Sequence, residues 1–202
     1  PRLPEVEAAA AGVGPGERVL AWAPIAGGGV AVAVPDGLRA TAPGFAGAGQ
    51  PGSGTVASGQ PEPGTAASGT AASAVAGPGS EGGAVPRPWT DVDRVAWDAA
   101  SGTLAVWWVG ARHPFPLELA APGRLPAVVR ERVESSVVIS QELEPEGGGR
   151  VVVAVRRAAD GTLSLQVVAG PGVRLDDPGV AGQVAAIRAA LAEDAGLPPD
   201  RE

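Results

Sequence analysis

A run of small residues at 42–84 sets the limit on what this chain can fold into. It consists almost wholly of Gly, Ala, Ser, Thr and Pro, with a loose repeat that reads GTVASG, GTAASG and GTAASA. Such side chains bury too little apolar surface to offset the entropy of ordering the chain, so the sequence predicts a disordered segment. Without it and the weakly apolar residues 1–16, roughly 140 residues remain, which is enough for one ordinary domain.

Two interpretations of the 42–84 segment are open. It is either a loop inserted into one domain or a spacer between two domains. The predicted strands before it are too few to form a domain alone, and long insertions in loops cost little, so the sequence favours an inserted loop.

Short segments of alternating character on both sides of this insertion predict antiparallel strands. Pro35-Asp36-Gly37 turns the chain before the insertion, and 98–102 makes a hairpin connection after it. The predicted strands are 18–22, 30–34, 38–40, 93–97, 103–109 and 115–119.

Two helices and one more hairpin are predicted in the second half of the chain. A helix starts after Pro122-Gly123, although its last part, 137–139, is β-branched and is also compatible with a strand. Strands at 151–156 and 163–168 bracket an Asp160-Gly161 turn. A final helix begins after an Asp177 N-cap, and its apolar stripe consists of Val180, Val184, Ile187 and Leu191.

Residues 89–108, WTDVDRVAWDAASGTLAVWW, hold four of the five tryptophans in a chain with two phenylalanines and no tyrosine. Pairing Asp98 with Thr103 across a four-residue loop gathers apolar side chains on one face of the hairpin, at 95, 97, 104, 106 and 108. This register predicts that Trp97 and Trp108 are core residues.

The same register places Asp93 opposite Trp108, and it places Trp107 on the other face, across from Arg94. A guanidinium beside an indole can stack on its ring, so Trp107 and Arg94 form the candidate contact surface. The alternative is that the C-terminal hairpin or helix packs over Trp107.

Residues 17–140 resemble bacterial pleckstrin-homology-like (PH-like) domains. The resemblance is carried by a strand with Trp22, by Asp36-Gly37-Leu38, and by Arg87-Pro88-Trp89 leading into Val95-Ala96-Trp97. The whole chain is similar to a group of actinobacterial proteins with this arrangement and a C-terminal strand–strand–helix unit. The resemblance implies an α+β fold, in which a strongly bent antiparallel sheet forms a partial barrel with a closing helix. It implies no catalytic residue.

The predicted organisation follows from the resemblance and the composition together. We expect a flexible N-terminal segment at 1–16 and a PH-like domain at 17–146, interrupted by the insertion at 42–84. A C-terminal β-hairpin and helix packed on that domain are expected at 147–197, followed by a tail at 198–202.

Composition excludes several kinds of chemistry. The chain has no cysteine, which excludes disulfides, thiolate nucleophiles and Cys-type zinc sites. All fifteen basic side chains are arginine, which excludes a Walker A lysine and a Schiff base. The net charge of −7 argues against binding to nucleic acid and against a polybasic membrane patch.

Candidate catalytic groups are few. Asp91, Asp93 and Asp98 are close in sequence and suggest a divalent-metal site, but a turn role explains Asp98 better. His113 is the only histidine, and no G-x-S-x-G elbow accompanies it. The sequence therefore predicts no catalytic, metal or cofactor-binding residue.

Arginines raise one further alternative, a small-anion or acidic-peptide site. They lie around the first predicted helix and in the later hairpin, at 124, 130, 132, 156 and 157. Glu131 and Glu134 lie among the arginines of this helix, which favours a solvated face of mixed charge.

These observations predict a non-enzymatic, cytoplasmic protein-binding or scaffold module with an unidentified protein partner. No apolar run approaches the ~18 residues of a membrane span, and the first residues have no secretion-signal pattern. The alternatives are a peripheral module that binds lipid headgroups and, less favoured, a metal-dependent hydrolase built on Asp91, Asp93 and His113.

Overall fold

The computed structural model describes residues 2–45 and 87–197, and the fold of these ranges is mixed α+β. This confirms the predicted class at that level. The predicted disorder of the insertion concerns residues that, apart from 42–45 at its start, lie outside the described ranges, as does the tail at 198–202.

Two antiparallel sheets form the first part of the fold. The four-stranded sheet is ordered along the chain as β1 (Ala21–Pro24), β2 (Val30–Val34), β3 (Gly37–Ala40) and β4 (Arg87–Pro88). A 3-10 turn at Trp89–Asp91 leads into the three-stranded sheet, which contains β5 (Val92–Asp98), β6 (Thr103–Trp108) and β7 (Phe115–Glu118). In it β6 is the central strand, so β5 and β7 are edges.

A third sheet and three helices complete the described part of the chain. The third sheet has the order β10-β9-β8, with antiparallel neighbours. Its strands are β8 (Val137–Leu143), β9 (Val151–Arg157) and β10 (Leu163–Ala169), and the helices are α1 (Glu5–Ala10), α2 (Leu125–Ser136) and α3 (Pro178–Asp194).

The junction of α2 and β8 settles how residues 137–139 fold. Helix α2 ends at Ser136, and Val137 already has extended backbone angles of φ −80° and ψ 118°. Three β-branched residues in succession lose side-chain freedom in a helix and suit a pleated strand. Strand β8, which lies before the predicted boundary at 146/147, pairs with β9 of the C-terminal unit.

The first two sheets share one apolar core, although none of the three sheets in the described ranges closes into a barrel. They meet where Ile25 bridges Leu119, and the Ala120 amide donates to the Pro24 carbonyl at 2.9 Å. Helix α2 contributes Leu125 and Val129, both with no exposed surface, to this core.

The C-terminal unit has its own core, between α3 and one face of the third sheet. Helix α3 begins as predicted, with the Asp177 carboxylate accepting hydrogen bonds from the amides of Gly179 and Val180. The predicted stripe on α3 faces Val151, Val153 and Val155, all fully buried. The Asp160-Gly161 hairpin turn is also confirmed, since Asp160 Oδ1 accepts from the Thr162 amide at 2.9 Å.

The N-terminal segment lies on the other face of the first sheet. Helix α1 lies within the N-terminal segment 1–16, and Ala11, just after it, is fully buried beside the valines of β2. Arg39, itself buried, donates to the Gly12 carbonyl and, at 2.7 Å, to Glu17 Oε1. Residues near 12–17 are therefore held on β3 by one arginine.

Both described ends of the insertion pack on the same indole. Phe45 meets Trp108 edge-on with ring centroids 5.4 Å apart, and the Arg87 guanidinium carbon lies 4.4 Å from the Trp108 ring centroid. Phe45 is 1% exposed. The predicted insertion began at residue 42, but Phe45 belongs to the core and Ala42 packs against it, because the Phe45 ring supplies a large apolar surface.

Candidate functional site

The hairpin formed by β5 and β6 has the predicted register over most of its length. Trp97 pairs with Leu104 and Val95 with Val106, and Arg94 lies across from Trp107. The alternation of apolar side chains was enough to align the two strands, because a slip of one residue would reverse every face.

The predicted pairing of Asp93 with Trp108 is wrong. A β-bulge interrupts the register between Val92 and Arg94, and Val92 pairs with Trp108 instead. Val92 is fully buried and Trp108 is 2% exposed. Because a carboxylate facing Trp108 would enter this apolar core at high cost, the bulge places Val92 against Trp108 and leaves Asp93 partly buried beside the core.

The prediction that Trp97 is a core residue is also wrong. Trp97 is 36% exposed, whereas its cross-strand partner Leu104 is fully buried. Leu104 lies on the central strand and pairs with Leu117 on its other side, but Trp97 lies on the edge strand next to the turn. The sequence pattern placed Trp97 on the correct face of the hairpin, but it could not show that no other described element packs over Trp97 at the edge of the sheet.

Arg94 and Trp107 are brought together as predicted. The Arg94 guanidinium carbon lies 4.6 Å from the Trp107 ring centroid, within the range of a cation–π contact. The Arg94 side chain is 65% exposed, and Trp107 is half-buried. Trp107 belongs to none of the three apolar clusters in the described ranges, so the C-terminal core does not absorb it.

The start of β5 is held by side chains of the C-terminal unit. Arg156 of β9 donates through one terminal nitrogen to the carbonyls of Trp89, at 2.8 Å, and Val92, at 2.7 Å. Gln166 of β10 donates to the Thr90 carbonyl at 2.8 Å. Arg156 is only 3% exposed, so these bonds form a buried polar contact between the two parts of the fold.

Sequence reasoning considered Arg156 only as part of an anion site. A usable signal was present, since VVVAV at 151–155 is apolar at successive positions and not at alternate ones. Such a strand is covered on both faces, so a charged residue directly after it can be enclosed only where it finds hydrogen-bond acceptors. The acceptors are carbonyls more than sixty residues earlier, and no local pattern points to them.

Charges around the bulge oppose one another. Burial raises the pKa of the Asp93 carboxyl, and the guanidiniums of Arg94, Arg156 and Arg150 act in the opposite direction. Burial lowers the pKa of Arg156, while Asp93 and Asp91 counter that effect. The bulge is thus a mixed-charge junction beside the Arg94–Trp107 contact.

The residues of the alternative metal site do not assemble into one. No group of three or more metal-ligating side chains occurs in residues 2–45 and 87–197. Asp98 has the predicted turn role, because its carboxylate accepts from the Ala100 amide at 2.9 Å and the Ser101 hydroxyl at 2.7 Å. His113 is exposed in the connection between β6 and β7.

A concave surface lies between the N-terminal segment and the connection that precedes α2. It encloses about 1210 Å³, and Leu3, Val13, Val19, Trp22 and Pro122 contribute its apolar lining. Arg124 and Glu5 also line it, so its charge is mixed.

Comparisons with protein-family models, with curated proteins and with solved structures found no match to this chain. None of the helices described at 2–45 and 87–197 is long and apolar enough to cross a membrane.

Proposed function

We propose that this chain is a non-enzymatic cytoplasmic module of PH-like fold that binds an extended segment of a partner protein along the free edge of β5. The fold assignment is supported by a four-stranded and a three-stranded antiparallel sheet that share one core and are followed by helix α2.

The residues that carry the PH-like resemblance contact each other, which gives further support. A Cβ on Gly37 would lie 2.1 Å from the Arg87 carbonyl oxygen, so only glycine allows β3 and β4 to approach this closely. Trp89 is buried, and its indole nitrogen donates to the carbonyls of Val34 and Pro35, both at 3.1 Å. The motifs Asp36-Gly37-Leu38 and Arg87-Pro88-Trp89 therefore pack against each other where β3 pairs with β4.

The observation that carries the binding proposal is the exposed half of an edge strand. Strand β5 pairs only with β6, and in the described ranges no backbone hydrogen bond joins 94–98 to any other segment. Edge strands present unpaired N–H and C=O groups to which another chain can add a strand. Trp97, exposed on this edge, supplies the large aromatic anchor that protein interfaces favour.

Site-specific photocrosslinking tests this proposal. A benzophenone amino acid replaces Ala96, which is exposed on β5, and as the matched control it replaces Ala189, which is exposed on α3. After irradiation in the cells that produce the protein, we expect a discrete protein adduct from position 96 and none from position 189. The adduct should be lost when Trp97→Glu is added to the position-96 variant.

Two results would count against the proposal. Equal adducts from both positions would indicate non-specific contact, and an adduct at position 96 that survives Trp97→Glu would place the interface elsewhere. Circular dichroism of each variant confirms that the fold is retained.

A further inference from the structure

We infer that the partner segment is a short strand that ends its pairing at the β5 bulge and carries a carboxylate beside Arg94. This inference rests on the proposed function, because it assigns length and charge to a segment bound at the β5 edge.

The length limit follows from the carbonyl groups of residues 89–92. Asp91 accepts from the Val109 amide at 2.9 Å, and the carbonyls of Trp89, Thr90 and Val92 accept from Arg156 and Gln166. All four consecutive acceptors are therefore occupied within the chain. A partner strand needs free backbone groups to extend its ladder, so pairing is confined to 94–98.

The two faces of this short edge differ in chemistry. Arg94, Ala96 and Asp98 lie on the face shared with Trp107, and Val95 and Trp97 lie on the other. A strand added at this edge alternates its own side chains between the same two faces. Its residues on the Trp97 face should be apolar, and the residue beside Arg94 should be polar.

The charge of that polar residue follows from the state of Arg94. Stacking on Trp107 holds the guanidinium in place, and the nearest carboxylate oxygen in the described ranges, Asp93 Oδ2, is 3.8 Å away. That distance exceeds the 2.7–3.2 Å range of an N–H···O hydrogen bond, so this pair leaves guanidinium donors available. The Asp98 carboxylate is engaged by its own turn. An incoming carboxylate is the complementary group.

Two synthetic pentapeptides, acetylated and amidated, probe the charge. One has the sequence Thr-Val-Glu-Val-Thr and the other Thr-Val-Lys-Val-Thr, and the shifts of the backbone amides of 94–98 are followed by NMR during titration. We expect the Glu peptide to bind about ten-fold more tightly than the Lys peptide. Arg94→Glu should reverse this preference, and Arg94→Gln should abolish it.

A nine-residue peptide that extends the Glu peptide by two residues at each end probes the length. Because the edge beyond the bulge is occupied, we expect less than about three-fold tighter binding than the pentapeptide. A gain of about a hundred-fold, with shifts spreading to the amides of 89–92, would overturn the length limit.

The remaining outcomes separate this inference from the proposed function. If both pentapeptides bind at 94–98 with equal affinity, the carboxylate preference is overturned while binding at the β5 edge stands. If neither pentapeptide nor the nine-residue peptide shifts any amide of 94–98 at millimolar concentration, the edge is not a recognition surface, and both proposals fail.

Discussion

The β5–β6 and β9–β10 hairpins are built alike but covered differently. Each hairpin turns at an aspartate, Asp98 in one and Asp160 in the other. The carboxylate of this aspartate accepts a hydrogen bond from a backbone amide two residues later. Strand β9 is central, with α3 on one face and the first part of the fold on the other. Strand β5 is an edge whose far half is mostly exposed.

This difference decides what an arginine does in each hairpin. Arg156 on the central strand is enclosed and gives its donors to carbonyls of its own chain. Arg94 on the edge strand rests on an indole and faces solvent. The same side chain is a buried connector in one sheet and an exposed group stacked on an indole in the other, because its position in the sheet determines which acceptors reach it.

The largest expected effect comes from breaking the central-strand contact. Arg156→Ala leaves the carbonyls of Trp89 and Val92 without their buried donor, and we expect a loss of about 4 kcal/mol in the free energy of unfolding. Urea denaturation followed by tryptophan fluorescence measures it.

The matched control is Arg157→Ala, at the next residue, which is exposed and should change stability by less than about 0.5 kcal/mol. Equal losses from the two variants would show that Arg156 is not the connector.

A smaller difference should separate the two partners of one cross-strand pair. Leu104→Ala removes a fully buried side chain and should cost about 3 kcal/mol. Trp97→Ala, directly opposite, should cost less, about 2 kcal/mol, because 36% of Trp97 is already in solvent. Thermal and urea unfolding compare the two variants, and a larger loss for Trp97→Ala would indicate that its corner is covered.

The smallest effects concern two aspartates of the same hairpin and have opposite signs. Burial raises the pKa of Asp93 above its ordinary value of 3.8, so its ionisation destabilises the fold as pH rises through the raised value. Hydrogen bonds from Ser101 and Ala100 lower the pKa of Asp98, so its contribution is lost as pH falls through the lowered value.

As the pH is raised from about 2 to about 6, the free energy of unfolding of Asp93→Asn should therefore rise relative to that of the wild type. Over the same range, the free energy of unfolding of Asp98→Asn should fall relative to that of the wild type. Unfolding free energies measured at several pH values check the two slopes. Slopes of the same sign would contradict the difference in environment between the bulge and the turn.

Local patterns predicted the Asp98 and Asp160 turns, the final helix and the β5–β6 register from Arg94 onward, because these depend on side chains a few residues apart. The Asp177 cap and the alignment of Val95 with Val106 are examples. The bulge at Asp93 could not be predicted, because Arg156 fixes the neighbouring carbonyl from a distant part of the chain. The exposure of Trp97 was missed for a related reason, since alternation assigns a face but does not say what covers it.

The contact surface was only partly predictable. Register alone placed Arg94 beside Trp107, and the structure confirms that contact. The free edge of β5 depends on strand order and on where the C-terminal unit docks, which are properties of the assembled fold.

Phe45 and Arg87, the described residues on either side of 46–86, both pack on Trp108. A single indole thus contacts one described residue on each side of the segment that contains the sequence repeats. A substitution at Trp108 would therefore disturb the packing of Phe45 and Arg87 together, although the two residues lie far apart in the sequence.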